Sequence, residues 1–243
     1  MKITWLGQAG FLLCADGVTV VIDPYLSDSC HKVNPLLYRR FPVDEQFLKL
    51  CPDVIVLTHN HLDHTDPETL DYYLKDKSGV TVLASENAWN KVREYKGGNN
   101  YVMFNAGTEF TVKGITFKAV YAEHSDSAAI GVVIEYNNKT YYFTGDTLYN
   151  KRVIEEAPKG AEAVFLPING KGNNMNCTDA ARYARDLSAR VAIPTHWGLF
   201  EKFANDPDTP QLFAQEAQAL GVKSRILQIY ESVDTQELLE GAQ

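Results

Sequence analysis

The sequence predicts a mixed α/β (α+β) protein, a single domain over residues 1–243 built as a layered helix–sheet–sheet–helix sandwich. Three observations predict it. Short β-branched and aromatic runs alternate with helix-like segments in both halves of the chain, with no linker, low-complexity break or fixed-period repeat between them. At 243 residues and 45% hydrophobic content, the chain suits one large domain with a substantial core. Several apolar runs also end on a polar, ligand-capable side chain, which is how open α/β sheets present a site at the carboxyl ends of their strands.

Residues 3–6 and 11–13 read as strands around the turn Gly7-Gln8-Ala9-Gly10, and 18–22 as a third strand stopped by Asp23-Pro24. Asp23 is placed either to hydrogen-bond a ligand imidazole or simply to turn the chain at a strand end. From 25 to 42 no periodicity is visible, and a loop this long in a compact domain often covers a site. It carries His31, Arg39 and Arg40; His31 has no ligand-like neighbours and is expected at the surface or in a lid. Residues 43–50 read as a short helix and 53–57 as a buried strand. Asp66-Pro67-Glu68 offers an N-cap, a proline in the first turn and an acidic start, so 67–75 is helical. A strand at 81–84 and a helix at 88–95 follow, the helix ending at Lys96-Gly97-Gly98.

Strands are then expected at 101–104, 109–112, 115–121, 130–136 and 140–143. The last two are joined through Asn137-Asn138, since asparagine tolerates positive φ. Beyond Gly145, helices at 151–156, 178–187 and 211–220 alternate with strands at 163–166, 191–193 and 225–230.

Composition narrows the function. A net charge of −8 argues against nonspecific nucleic-acid binding through phosphate neutralisation. No apolar run approaches the roughly 20 residues that span a bilayer, and the N-terminus enters a strand-like pattern without a signal-peptide layout, so no membrane partner and a cytoplasmic address are expected. Cys14, Cys30, Cys51 and Cys177 are far apart, with no C-x-x-C pair, and form neither a zinc knuckle nor a disulfide framework. Cys14 and Cys51 adjoin strand-like runs and are expected as small core residues; Cys30 and Cys177 lie in loops within reach of a site.

The chemistry concentrates in Thr58-His59-Asn60-His61-Leu62-Asp63-His64, where three of the six histidines and a carboxylate fall within a few positions. Imidazole and carboxylate are the common nitrogen and oxygen ligands of first-row divalent metals. Three more ligand-capable side chains stand where strand-like runs end: His124, Asp146 and His196. Core histidines would not share that position so consistently, and a metal site is the better explanation. None of these ligands is a thiolate, so zinc and manganese are both allowed.

With these residues the chain resembles the metallo-β-lactamase superfamily. His59-x-His61-x-Asp63-His64, His124, Asp146 within Thr144-Gly145-Asp146-Thr147, and His196 match that superfamily's ligand series in order, over nearly the whole chain. The resemblance implies a four-layer αβ/βα sandwich with a site for two divalent metal ions at one edge of the sheets. His59, His61 and His124 would hold one ion, Asp63, His64 and His196 the other, with Asp146 bridging. Pro167-Ile168-Asn169-Gly170, Asn176 and Ile193-Pro194-Thr195-His196-Trp197-Gly198 look like the L-ascorbate-6-phosphate lactonase branch and its metal-dependent hydrolase relatives.

The expected activity is hydrolysis of a lactone or ester by metal-activated water, with Asp63 as ligand and catalytic proton shuttle. Only Asp63 and Asp146 among the seven ligands carry formal negative charge, so a dimetal site stays electropositive and attracts a small, anionic substrate. Asn169, Lys171 and Asn176, with Arg39 and Arg40 in the lid, are candidates to hold a phosphate on it or are solvated loop residues. Trp197 and Phe200 either line the pocket or pack the fold. A phosphodiesterase or nuclease of the same superfamily, a diiron redox protein and a non-catalytic metal-binding protein are the alternatives, and a homo-oligomer remains open.

Overall fold

Pleated runs of large apolar residues build two sheets, and turn chemistry sets the loops between them. The computed structural model describes residues 1–200 and 209–242. β1 (Lys2–Gly7), β2 (Gly10–Ala15) and β3 (Val18–Ile22) form an antiparallel meander. α1 (Ser29–Val33) lies inside the long 25–42 segment, and α2 (Glu45–Leu48) follows, capped by Asp44. β4 (Val54–Leu57), buried throughout, leads through the ligand-rich loop to α3 (Pro67–Leu74), whose cap Asp66 accepts from the backbone of Glu68 and Thr69. β5 (Thr81–Ala84), α4 (Glu86–Val92) and β6 (Asn100–Met103) complete the first half, with β3 to β6 parallel.

The second half opens with the antiparallel run β7 (Glu109–Val112), β8 (Ile115–Tyr121), β9 (Ile130–Tyr136) and β10 (Lys139–Phe143). The β9–β10 hairpin turns through Asn137 and Asn138 at φ 50° and 58°, as expected of that pair. α5 (Lys151–Glu156), β11 (Ala163–Pro167), α6 (Cys177–Asp186), β12 (Ala192–Thr195) and α7 (Thr209–Ala219) then alternate, with β10 to β12 parallel. β13 (Ser232–Asp234) returns to pair antiparallel with β1.

The first sheet has the order β13-β1-β2-β3-β4-β5-β6 and the second β12-β11-β10-β9-β8-β7. Their inner faces share one core: the rings of Phe143 and Phe165 stack at 4.2 Å, and Phe11 from the other sheet meets them edge-on at 5.1 and 4.9 Å. The outer face of the first sheet packs against Phe47, Leu70, Tyr73, Ala88 and Val92 of α2, α3 and α4. The outer face of the second packs against Val153, Ala180, Ala184 and Phe213 of α5, α6 and α7. This is the expected αβ/βα sandwich. Each large side chain buried between the sheets contributes about 1.5–3 kcal/mol, so the aromatic inter-sheet core fixes how the two sheets, and hence their loops, face each other.

Three expectations fail. Residues 225–230 are not a strand, because the chain there leaves one sheet for the other. Arg225 N still donates to Ala192 O at 3.0 Å, whereas Tyr230 N donates to Trp5 O at 2.7 Å with Tyr230 at φ 66°. Strand pairing resumes only at β13, so an apolar pattern that served two sheets in turn read as one strand. Cys14 and Cys51 are exposed rather than core residues, since the pleat of β2 sends Cys14 to the face opposite Leu13 and Cys51 lies before β4 begins. The 25–42 segment is not all loop, for it contains α1. Among the described residues, no helix is long and apolar enough to cross a membrane.

Candidate metal centre

β4 ends at Leu57, and the next residues fold back on themselves before α3 begins. His64 N and Thr65 N both donate to His61 O, at 3.1 and 2.8 Å, and Thr65 Oγ1 donates to His59 O at 2.7 Å. Asp126, from the β8–β9 loop of the other sheet, accepts from Asn60 N at 2.9 Å and from Asn87 Nδ2 at 2.5 Å. The loop is thus fixed from within and across the sandwich, and four side chains leave it towards one point.

The second sheet delivers the remaining three. His124 lies past the end of β8, Asp146 past β10 and His196 past β12. Two backbone features make the approach possible. Gly145 sits at φ 59°, where an added Cβ would lie 2.8 Å from Ile130 O and 3.1 Å from Thr58 Cβ, so only glycine lets Asp146 come this close. His196 itself adopts φ 59°, a strained value for a residue with a Cβ, and its backbone N donates to Gln8 O at 3.0 Å.

The seven side chains converge. His61 Nδ1 and His124 Nε2 are 3.2 Å apart. His196 Nε2 lies 3.3 Å from Asp63 Oδ2 and 3.2 Å from Asp146 Oδ2. Asp146 stands between two trios: its Oδ1 is 3.4 Å from His64 Nε2, and its Oδ2 is 3.8 Å from His124 Nε2. Within His59, His61 and His124, and again within Asp63, His64 and His196, the candidate ligand atoms all lie within 4.8 Å of one another. Asp23, His59 and His64 form a third such group, but the Asp23 oxygens are already taken by Thr58 N at 2.8 Å, Thr58 Oγ1 at 2.5 Å and His64 Nδ1 at 2.8 Å.

These outer contacts decide which ring nitrogen faces inward. His64 Nδ1–H donates to Asp23, and His124 Nδ1–H donates to Asn173 O at 3.2 Å. His59 Nδ1–H donates to Thr58 Oγ1 at 3.1 Å, whose own proton goes to Asp23. In each ring Nε2 is then the atom directed at the centre. Asp23 is therefore both the strand-end turn, at φ 41°, and the partner of a candidate ligand.

Whether a metal suits this cluster is answered by what its atoms lack. Among the described residues, His59 Nε2, His64 Nε2 and Asp146 Oδ1 are buried without a hydrogen-bond partner; His64 Nε2 and Asp146 Oδ1 are near each other but not aligned to bond. Buried polar atoms are nearly always satisfied, and three orphans at one point call for a further group. A divalent cation meets that need with an all-nitrogen-and-oxygen donor set. The protonation states of the cluster without metal point the same way. Burial pulls His196 down, but Asp146 and Asp63 outweigh it and push it up to about 10; Asp146, Asp63 and Asp23 likewise overcome burial at His64 and raise it. Burial favours neutral Asp63 and Asp146, yet the imidazoles of His64 and His196 hold both carboxyls below their usual range. His59 is lowered by burial and by His64, and His124 chiefly by burial.

A cavity of about 340 Å³ opens over His61, Asp63, Asp146 and His196. Asn169 and Lys171 line it, as do Asn34, Leu37 and Cys30 from the 25–42 segment. Cys30 is a neutral thiol, pushed up to about 12 by burial and by Asp63. Trp197 and Phe200 do both things considered for them: they line the cavity, and they pack on Trp5 and Tyr25 at 5.2 and 5.6 Å between ring centroids.

Other candidates lie elsewhere. Asn176 is the N-cap of α6, its Oδ1 accepting from Asp179 N at 2.9 Å, and it is not among the cavity's lining residues. Arg39 is a tether, donating to Tyr25 O at 2.8 Å and Tyr230 Oη at 3.2 Å. Arg40 N holds the segment to Leu199 O, Cys177 is buried at the start of α6, and His31 is exposed with its ring 6.1 Å from that of Tyr38. The sequence reading missed Gln8 and Asn174, whose amides donate to Asp63 Oδ2 at 3.0 Å and Asp146 Oδ2 at 2.8 Å. The only signal for either was a polar residue in a glycine-rich turn.

A two-sheet αβ/βα sandwich carrying this histidine and aspartate series on the strand-end loops defines a metallo-β-lactamase-type hydrolase. The comparisons agree, and the chain belongs to that superfamily: the model of the beta-lactamase superfamily domain matches residues 19–197. A UPF0173 metal-dependent hydrolase of Methanobrevibacter smithii is 31% identical over 224 residues, spanning 85% of this chain and 86% of that one. Among solved structures, Igni18, a metallo hydrolase from the archaeon Ignicoccus hospitalis, superposes with a TM-score of 0.73 at 23% identity, covering 96% of this chain and 97% of its own. An isothiocyanate hydrolase from Delia radicum gut bacteria gives a TM-score of 0.71 at 21% identity, covering 96% and 98%. The last two establish likeness of fold alone.

Proposed function

We propose that this chain is a two-metal hydrolase that opens a lactone or cleaves a related ester in a small, anionic substrate of the phosphorylated sugar-acid type. The observation that carries the reading is the place of Asp146 between two ligand trios, with an unpartnered Oδ1, beneath a cavity lined by Lys171 and Asn169. His59, His61 and His124 would hold one ion, Asp63, His64 and His196 the other, and Asp146 both; zinc and manganese each suit the donors. When bound, such ions act as Lewis acids that lower the pKa of water and stabilise an oxyanion.

The protein's own groups supply the rest. Asp63 has Oδ2 engaged by Gln8 and His196, which leaves Oδ1 to take a proton from the attacking water and return it to the leaving alkoxide. Lys171 and Asn169 orient an anionic, hydroxylated substrate, while Leu37, Trp197 and Phe200 exclude bulk water from the cavity. A cavity of about 340 Å³ suits a compact metabolite better than a nucleic-acid strand, in keeping with a net charge of −8. The test is hydrolysis of a panel of lactones, carboxylate esters, phosphodiesters and RNA by zinc- and manganese-loaded protein. Turnover of lactones or esters, lost in Asp63→Ala, is the expected result. Cleavage confined to RNA or phosphodiesters would replace the reading with a nuclease, and oxygen consumption by iron-loaded protein would replace it with a redox enzyme.

A further inference from the structure

Gln8 sits in the two-residue turn that joins β1 to β2, far in sequence from every candidate ligand. It reaches two of them at once. Its Nε2 donates to Asp63 Oδ2 at 3.0 Å, and its backbone O accepts from His196 N at 3.0 Å and from Trp5 Nε1 at 2.9 Å. The amide nitrogen also lies 3.4 Å from His196 Nε2. Its orientation is fixed by chemistry, because the amide oxygen would repel the carboxylate that the nitrogen binds. Asp63 comes from the loop after β4 and His196 from the end of β12, in different sheets. One residue therefore ties the two halves of the proposed second-ion trio together.

The backbone supports this view. Gln8 adopts φ 48°, a left-handed value at a hairpin position where glycine or asparagine is the comfortable choice. A glutamine here is strained, and the bonds around it hold it in that conformation. Gln8 is also buried, so its amide is not held outward by solvent.

We propose that Gln8 is a positioning residue of the metal centre. Its amide fixes one oxygen of Asp63 without neutralising the carboxylate, and its carbonyl fixes the strained backbone of His196. The proposal rests on the two-ion reading of the site, and the competing role is a simple turn residue.

Gln8→Gly separates the two. Glycine relieves the φ strain and keeps the backbone carbonyl that holds His196, while it removes the side chain and with it the amide. The metal-free variant is expected to unfold thermally at the same temperature as the parent protein or above it. Titration with zinc, read by calorimetry and by a competing chelator dye, is expected to show a weakened second equivalent, by about tenfold or more, with the first unchanged. In a lactone or ester assay kcat is expected to fall while KM holds. Gln8→Glu, equal in length but placing charge against Asp63, should not restore the second equivalent at neutral pH. Parental zinc affinity in Gln8→Gly, or full rescue by Gln8→Glu, overturns the positioning role while leaving the two-ion reading intact. A parental chain that takes up fewer than two zinc ions overturns both.

Discussion

Asp23 Oδ2 accepts the Nδ1–H of His64 at 2.8 Å, with neither residue exposed to solvent. The two come from separate strand ends, β3 and β4, so the bond is a product of the sheet register, in which Ile22 lies beside Val56. The same carboxylate takes Thr58 N and Thr58 Oγ1. Asp23→Ala would leave three buried donors unpaired, each costing about 1–3 kcal/mol, and is expected to lower the unfolding temperature markedly. Asp23→Asn keeps the shape and tolerates φ 41°, but weakens the acceptor behind His64. Its expected signature is a near-parental fold with zinc affinity reduced by about 10–100-fold, read by chelator competition. Parental affinity in Asp23→Asn would mean that this bond serves the fold alone.

Proton release on metal uptake follows from the charge balance among the histidines and aspartates of the cluster. Without metal, His196 is raised to about 10 and His64 is raised as well, while Asp63 and Asp146 are held low. The imidazoles are raised, so their contribution to stability is complete below an unfolded value of about 6.5 and is lost as pH rises through the folded values. The carboxyls are depressed, so theirs is present above about 3.9 and is lost as pH falls through the folded values. An ion held by His64 and His196, as proposed, would displace their protons, so zinc binding at neutral pH is expected to release about two protons per centre, and affinity should rise with pH towards 10. Calorimetry in buffers of different ionisation enthalpy measures the count; zero release would contradict the charge state described for the cluster.

Much of this architecture is legible in the sequence because it is local. The strands Val18–Ile22, Thr81–Ala84, Glu109–Val112, Ile115–Tyr121 and Ile130–Tyr136 have the bounds expected from residue pattern alone. The seven candidate ligands are legible for the same reason: each stands at or just past the end of an apolar run. What is not legible is pairing at a distance. Gln8 reads as a turn residue until Asp63 is set beside it, and Asn176 reads as a donor for substrate until α6 is seen to begin on it. Asn and Gln offer the same amide for a cap, a clamp or a ligand, and only the tertiary fold says which.

The catalytic role proposed for Asp63 is separable from the ligand role proposed for it. Asp63→Asn preserves size and one oxygen donor but removes the basic carboxylate, and Gln8 can still bond that oxygen. Hydrolysis is expected to fall by about 10²–10⁴-fold with zinc stoichiometry retained. His61→Ala, by contrast, removes a nitrogen from the histidine trio and should lower stoichiometry and activity together. If Asp63→Asn keeps substantial turnover, proton transfer belongs to another group.

Substrate contacts can be told from structural ones by two alanines five residues apart in the β11–α6 loop. Lys171 lines the cavity over the centre, whereas Asn176 caps α6. Lys171→Ala removes a cation from the mouth of the site, so KM for an anionic lactone or ester should rise severalfold, with less effect on a neutral analogue and little on stability. Asn176→Ala leaves the cavity lining intact but loses the bond to Asp179 N, and is expected to cost about 1 kcal/mol of stability with KM unchanged. Steady-state kinetics on paired charged and neutral substrates, beside thermal unfolding of both variants, reads the two effects independently. A KM change in Asn176→Ala, or none in Lys171→Ala for the anionic substrate, would move the binding determinant from the lining residue to the N-terminus of α6, where backbone amides favour an anion.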